Sequence, residues 1–143
     1  MSEDPDARVP GLAEAFIMTP ERGAPVVVGE IATGGRRSHA PVTGGRFVGE
    51  GLSGVLVGGS EMLLERADGV TVVEASYYIA FADGAVARCF GTGYRTAGQP
   101  FAGTRLSLLF EAAENGSLAA LATRAFIAEQ PEGGDAMTIC RIT

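Results

Sequence analysis

Two carboxylates and one arginine–histidine group are the side chains of this chain best suited to chemistry: Glu61, Glu74, and the cluster Arg36, Arg37 and His39. Glu61 and Glu74 sit among apolar residues, and a carboxyl folded into apolar surroundings has its pKa raised toward the range a general base needs. A guanidinium from Arg36 or Arg37 would hold a carboxylate or enolate through two parallel hydrogen bonds, and the His39 imidazole would move protons near neutral pH. In an extended segment only one of the two adjacent arginines points inward. Tyr77, Tyr78 and Tyr94 are candidate donors to a ligand carbonyl. Arg124 lies among apolar residues; if it faces inward it needs a carboxylate partner, and Glu61 or Glu74 is the simplest choice.

Other chemistries are disfavoured by what the chain lacks. All 11 basic residues are arginine, so no lysine amine exists for Schiff-base or pyridoxal chemistry. With one histidine and with Cys89 and Cys140 far apart, no metal site is expected. Both cysteines read as small hydrophobes, with a pairing between them left open. The glycine-rich stretches alternate with β-rich runs and do not open a helix, so no phosphate loop is expected and no cofactor is assigned. Asp68 and Asp83 each precede a glycine and serve hairpin turns through their own backbone-bonding preference. A net charge of -6 with scattered arginines disfavours nucleic acid as a partner.

Positioning these groups requires strands. From Gly44 to Gly84, β-rich runs are cut by glycine pairs and Asp-Gly steps, the pattern of successive antiparallel hairpins. Strands are expected at about 12–19, 25–33, 38–48, 52–57, 61–66, 70–82, 85–93, 104–112, 119–129 and 136–142, with no convincing helix. In the strand at 70–82, Val73, Ala75, Tyr77, Ile79 and Phe81 form one face, while Glu74, Ser76 and Tyr78 form the other. Sequential strands of this kind leave no open edges if they close into a barrel. The expectation is all-β: a closed, antiparallel, up-and-down barrel of eight to ten strands, lipocalin-like, with a central pocket.

At 143 residues the chain is expected to form one domain, residues 12–143, preceded by a mobile acidic arm at 1–11. It has no long apolar run, and its first residues, MSEDPDAR, do not read as a secretory signal, so a cytoplasmic protein without a membrane partner is expected.

The segments GGRRSHAPVTGGRFVGEGLSGVLVGGSE (34–61), RADGVTVVEASYYIAFADGA (66–85) and AMTICRIT (136–143) resemble the domain of unknown function 3237 family. The resemblance spans about residues 12–143 and implies a compact antiparallel barrel with a central pocket, with no reaction assigned to the family as a whole. Two departures bear on the site. Glu61-Met62 stands where the family has Asp-Trp, and Glu74-Ala75-Ser76-Tyr77 where it has Asp-Ala-Arg-Tyr. The first keeps the carboxylate and loses an aromatic wall; the second loses a cation.

These readings lead to a barrel that binds a small apolar organic compound bearing a carbonyl or carboxylate. Its chemistry would be cofactor-free acid–base catalysis of isomerase, lyase or cyclase type, with Glu61 or Glu74 as base. The alternatives are a non-catalytic carrier and a structural dimerisation module. A homodimer is expected through the outer sheet face.

Overall fold

The structure, a computed structural model, describes residues 8–143. Of the expected N-terminal arm, residues 1–7 therefore lie outside the described residues. Gly11 is already tied in, its carbonyl accepting from the Thr143 N–H at 2.9 Å.

Nine strands follow in order: β1 (Leu12–Arg22), β2 (Val26–Glu30), β3 (Arg36–Gly49), β4 (Leu52–Glu65), β5 (Thr71–Phe81), β6 (Val86–Thr96), β7 (Gly103–Ala112), β8 (Phe126–Pro131) and β9 (Met137–Ile142). Each pairs antiparallel with its neighbour from β2 to β9, and β1 closes the ring by pairing with both β9 and β3. The result is an eight-stranded barrel, with β2 continuing the line of β1 along the first half of β3.

The expected strands change in two places. The pair Gly58-Gly59 lies inside β4, as Gly44-Gly45 lies inside β3, so 52–57 and 61–66 are one strand. Their lack of a side chain is what allows the strands to bend there. A Cβ on Gly45 would sit 2.3 Å from the Thr19 carbonyl oxygen, and one on Gly59 2.2 Å from that of Ser76. At 119–129, Ala119–Thr123 forms a 3-10 helix and the strand starts only at Phe126, because the alanine-rich half tolerates a helical turn. The Asp-Gly turns stand as read: the Asp68 and Asp83 carboxylates accept from the Val70 and Ala85 backbone N–H groups. These bonds help hold both carboxyls below the usual range, with Arg66 the larger influence on Asp68.

The interior is filled by side chains, one of the two arrangements open to an eight-stranded barrel, and not the ligand-holding one expected from sequence. Phe16 stacks on Phe47 at 4.6 Å and Phe110 meets Phe126 edge-on at 4.9 Å, with Phe81 alongside. Leu118 and Leu121, next to and within the 3-10 helix, close this end. The space expected at the barrel centre is thereby displaced to the opposite end. No helix among the described residues is long and apolar enough to cross a membrane.

Candidate active site at the open end

The open end exists because β9 is short. β9 begins at Met137, paired with Met18, so residues 19–22 of β1 have no ladder partner on that side. Across the gap stand Gln130 and Pro131, which end β8 beyond its pairing with β9. A cleft of about 350 Å³ opens here, lined by Arg22, Thr71, Arg95, Thr104, Gln130 and the loop after Pro131.

Strand alternation delivers those side chains. Phe16 and Met18 point inward on β1, and Arg22 keeps their parity at the rim. Likewise Thr71, Arg95, Thr104 and Gln130 form one cross-strand row through β5, β6, β7 and β8. Glu61 lies deeper, on the inward face of β4 between Ala40 of β3 and Ala75 of β5.

Glu61 is the buried member of an ion pair whose other member, Arg22, reaches the cleft. Arg22 Nε donates to Oε1 at 2.5 Å and Arg22 Nη2 to Oε2 at 3.0 Å. The Tyr77 hydroxyl donates to Oε2 at 2.5 Å. Arg22 Nη2 also donates to Gln130 Oε1 at 3.1 Å, bridging the gap, and Gln130 Nε2 in turn donates to the Gly134 carbonyl. Arg95 Nε donates to the Thr104 hydroxyl at 3.1 Å, while its two terminal nitrogens make no hydrogen bond among the described residues. Every buried side-chain polar atom among those residues has a partner.

The expected upward pKa shift of Glu61 is reversed. Burial acts to raise it, but hydrogen bonds from Arg22 and Tyr77 and the charges of Arg22 and Arg95 outweigh burial, holding the carboxyl below the usual range. The same pair raises Arg22, chiefly through the Glu61 hydrogen bond. Tyr77 is pushed well above its ordinary value by burial first and by the Glu61 charge second.

Of the other side chains singled out from sequence, only Tyr77 joins Glu61. Glu74 is exposed, because Val73, Ala75 and Tyr77 take the inward parity of β5. Tyr78 and Tyr94 likewise face out at 43 % and 53 % exposure, Tyr94 lying beneath the Arg66 guanidinium. His39 is half-buried on the outer face, in the row of Met62 and Glu74. Arg37 shares that outer face; Arg36 stands in the inward-facing row with Glu65 and Thr71 but is exposed and off the cleft. Arg124 is exposed at the closed end, so its suggested pairing with Glu61 or Glu74 does not form; Arg22 holds Glu61 instead. Cys89 and Cys140 are unpaired with each other.

Sequence reasoning passed over Arg22, Arg95, Thr104 and Gln130. The signal was parity: Arg22 follows Phe16 and Met18, Gln130 follows Phe126 and Ala128, and Thr104 precedes Leu106 and Leu108, each in steps of two.

A closed barrel with a buried carboxylate beneath one open end is the architecture of this chain. Residues 10–141 match the model of the family described as a protein of unknown function (DUF3237), and the chain belongs to that family. No curated protein matches it. Solved structures with the same fold include three from different organisms. A conserved protein of unknown function from Rhodopseudomonas palustris aligns at TM-score 0.82 and 22 % identity over 96 % of this chain and 100 % of its own. An enzyme from Penicillium herquei aligns at TM-score 0.80 and 19 % identity over 100 % of both chains. A β-barrel like protein from Acinetobacter baumannii AYE aligns at TM-score 0.80 and 18 % identity over 98 % of this chain and 99 % of its own.

Proposed function

We propose that this protein binds a small organic compound in the open-end cleft and moves protons on it without a cofactor, as an isomerase, lyase or cyclase does. The observation that carries this reading is Glu61: a buried carboxylate held by Arg22 and Tyr77, one side chain behind the wall of a ligand-sized cleft. In this reading Glu61 exchanges a proton at a carbon next to a carbonyl. The free edge of the Arg95 guanidinium meets the oxygen on which negative charge develops. Glu74 and His39, on the outer surface, have no part in it. That a protein of this fold is described as an enzyme lends support at the level of the fold.

One observation favours a second reading, a carrier. The Glu61 side chain is only 4 % exposed and Arg22 stands between it and the cleft.

Thermal-shift measurements with hydrophobic keto acids, lactones and related carbonyl compounds would find a ligand, since one at 100 times its Kd adds about 2.7 kcal/mol of stability. With a ligand that is turned over, Glu61→Gln is expected to lower kcat by about 100-fold or more while binding is largely kept. Binding without turnover in the wild type, altered only in affinity by the variant, would establish the carrier and refute the enzyme.

A further inference from the structure

Arg22 divides its donors between the interior and the cleft. Its Nε and Nη2 grip the two oxygens of Glu61, and Nη2 also reaches Gln130 at the rim. Its side chain is 29 % exposed and forms part of the cleft wall, whereas the Glu61 side chain is 4 % exposed. Anything entering the cleft meets this guanidinium before it meets the carboxylate. The fork of a guanidinium fits any planar anion with two oxygens, and Glu61 is one such anion. A ligand carboxylate is chemically the same partner, arriving from the solvent side.

What Glu61 would face without Arg22 can be read from its surroundings. Tyr77 of β5 still donates to Oε2, but Oε1 loses its donor. Arg95 of β6 is the remaining cation that acts on it, and it stands at the rim, where the incoming anion also lies. The other charged groups at this end are exposed to solvent: Arg36 of β3 and Glu65 of β4 in the row of Thr71, and Glu132 in the cleft wall after β8. Closer to Glu61, β3 places Ala40 opposite it, β7 and β8 bring Thr104 and Gln130, and β9 brings Met137. A half-bonded carboxylate in such a place favours its neutral form.

We propose that the ligands of this cleft are organic carboxylates, and that such a ligand takes Arg22 from Glu61, which then takes up one proton from solvent on Oε1. This rests on the function proposed above and names its substrate class. The exchange balances: two N–H···O bonds to Glu61 break and two to the ligand form. The anion that enters is matched by the proton that follows it, so the net charge of the site is unchanged. In the free protein the carboxylate is locked; in the complex a protonated Glu61 lies beside the substrate, ready to donate and recover its proton.

The test is calorimetric titration of the wild type with 1-naphthylacetate and with its neutral amide, 1-naphthylacetamide, between pH 5 and 7. Repeating it in buffers of different ionisation enthalpy counts the protons taken up. The acid is expected to bind at least about tenfold more tightly than the amide, as a charge-assisted pair requires. Its binding should take up a fraction of a proton that grows toward one as the pH falls, and the amide none. In Glu61→Gln the uptake should vanish. If that variant does not fold, the contrast between acid and amide on the wild type decides. Equal binding of acid and amide overturns the carboxylate class and leaves the cleft reading standing. Preferred binding of the acid with no uptake, or with the same uptake in Glu61→Gln, overturns the exchange at Arg22. Binding of neither compound overturns the proposed function and this inference together.

Discussion

Tyr77 and Glu61 are joined across adjacent strands by a 2.5 Å hydrogen bond from the phenol to Oε2, although neither faces the other directly in the ladder. Tyr77 stands opposite Gly59, and Glu61 opposite Ala75. The tyrosine therefore reaches two residues along β4, past a glycine, to complete the shell of a buried carboxylate.

Tyr77→Phe keeps the ring in the core and removes that donor. The carboxylate is left with Arg22 alone, so a loss of about 1–3 kcal/mol in unfolding free energy is expected from denaturant titration. An unchanged midpoint would mean that the hydroxyl contributes nothing.

Arg22 and Glu61 should be strongly coupled in a double-mutant cycle. Arg22→Leu leaves a buried carboxylate and Glu61→Leu leaves a half-buried guanidinium, so each is expected to cost about 3 kcal/mol. The double variant should cost far less than the two together, since no charge is then stranded. Additive losses would contradict the pairing.

The pH dependence of stability follows from the depressed carboxyl of Glu61. Below its unfolded pKa of about 4.3 the unfolded chain binds the proton first, so stability falls as the pH falls in that region. The contribution of the Arg22 pair is fully present above that pKa and is lost as the pH drops through the folded value. Unfolding free energies measured from pH 7 to 3 should decline more steeply in the wild type than in Glu61→Gln. Parallel curves would show that Glu61 does not titrate on unfolding.

Glycines inside the strands should divide sharply. A Cβ on Gly91 would lie 1.8 Å from the Ser107 carbonyl oxygen, and one on Gly93 1.9 Å from that of Arg105. Alanine at either position must displace backbone, with an expected cost of about 3 kcal/mol or more. Gly58 meets nothing within 4 Å, so Gly58→Ala is expected to stay within about 0.5 kcal/mol of the wild type. Soluble expression followed by chemical denaturation distinguishes the three.

Thiol labelling should divide the two cysteines. Cys89 is fully buried, and burial pushes its thiol up to about 12, so it should not react in the native protein. Cys140 is partly exposed. A thiol reagent should therefore modify at most one group before denaturation and both after it.

Where period-two alternation was clean, sequence alone divided the faces of a strand. Val73, Ala75, Tyr77, Ile79 and Phe81 were read as one face and Glu74, Ser76 and Tyr78 as the other, and the structure keeps that division; which face turns inward was not legible, and Glu74 and Tyr78, candidate site residues in the sequence, face out. What misled was glycine, which marks a turn and a bend with the same letter. Only the partner strand, with Ser76 lying against Gly59, decides which it is. Glu61 was identifiable as a carboxylate in apolar company. Its partner was not, because Arg22 and Glu61 are 39 residues apart and meet only through the β1–β3 closure that also admits β4. The sign of its pKa shift was hidden with the partner, since burial alone points the other way. The cluster Arg36, Arg37 and His39 drew notice because its members are adjacent in sequence, which on a strand places neighbours on opposite faces.

The gap left by the short β9 also sets where this barrel yields first. Along the other seams, neighbouring strands are stitched by backbone ladders, so parting them breaks many bonds at once. Between the ends of β1 and β8 the crossing is the side-chain bond from Arg22 to Gln130. Slow fluctuations should therefore concentrate there. Amide hydrogen exchange at 19–22 and 130–134 would outpace that of the β5–β6 ladder, and a ligand that engages Arg22 would slow or hasten it according to whether Gln130 keeps its hold.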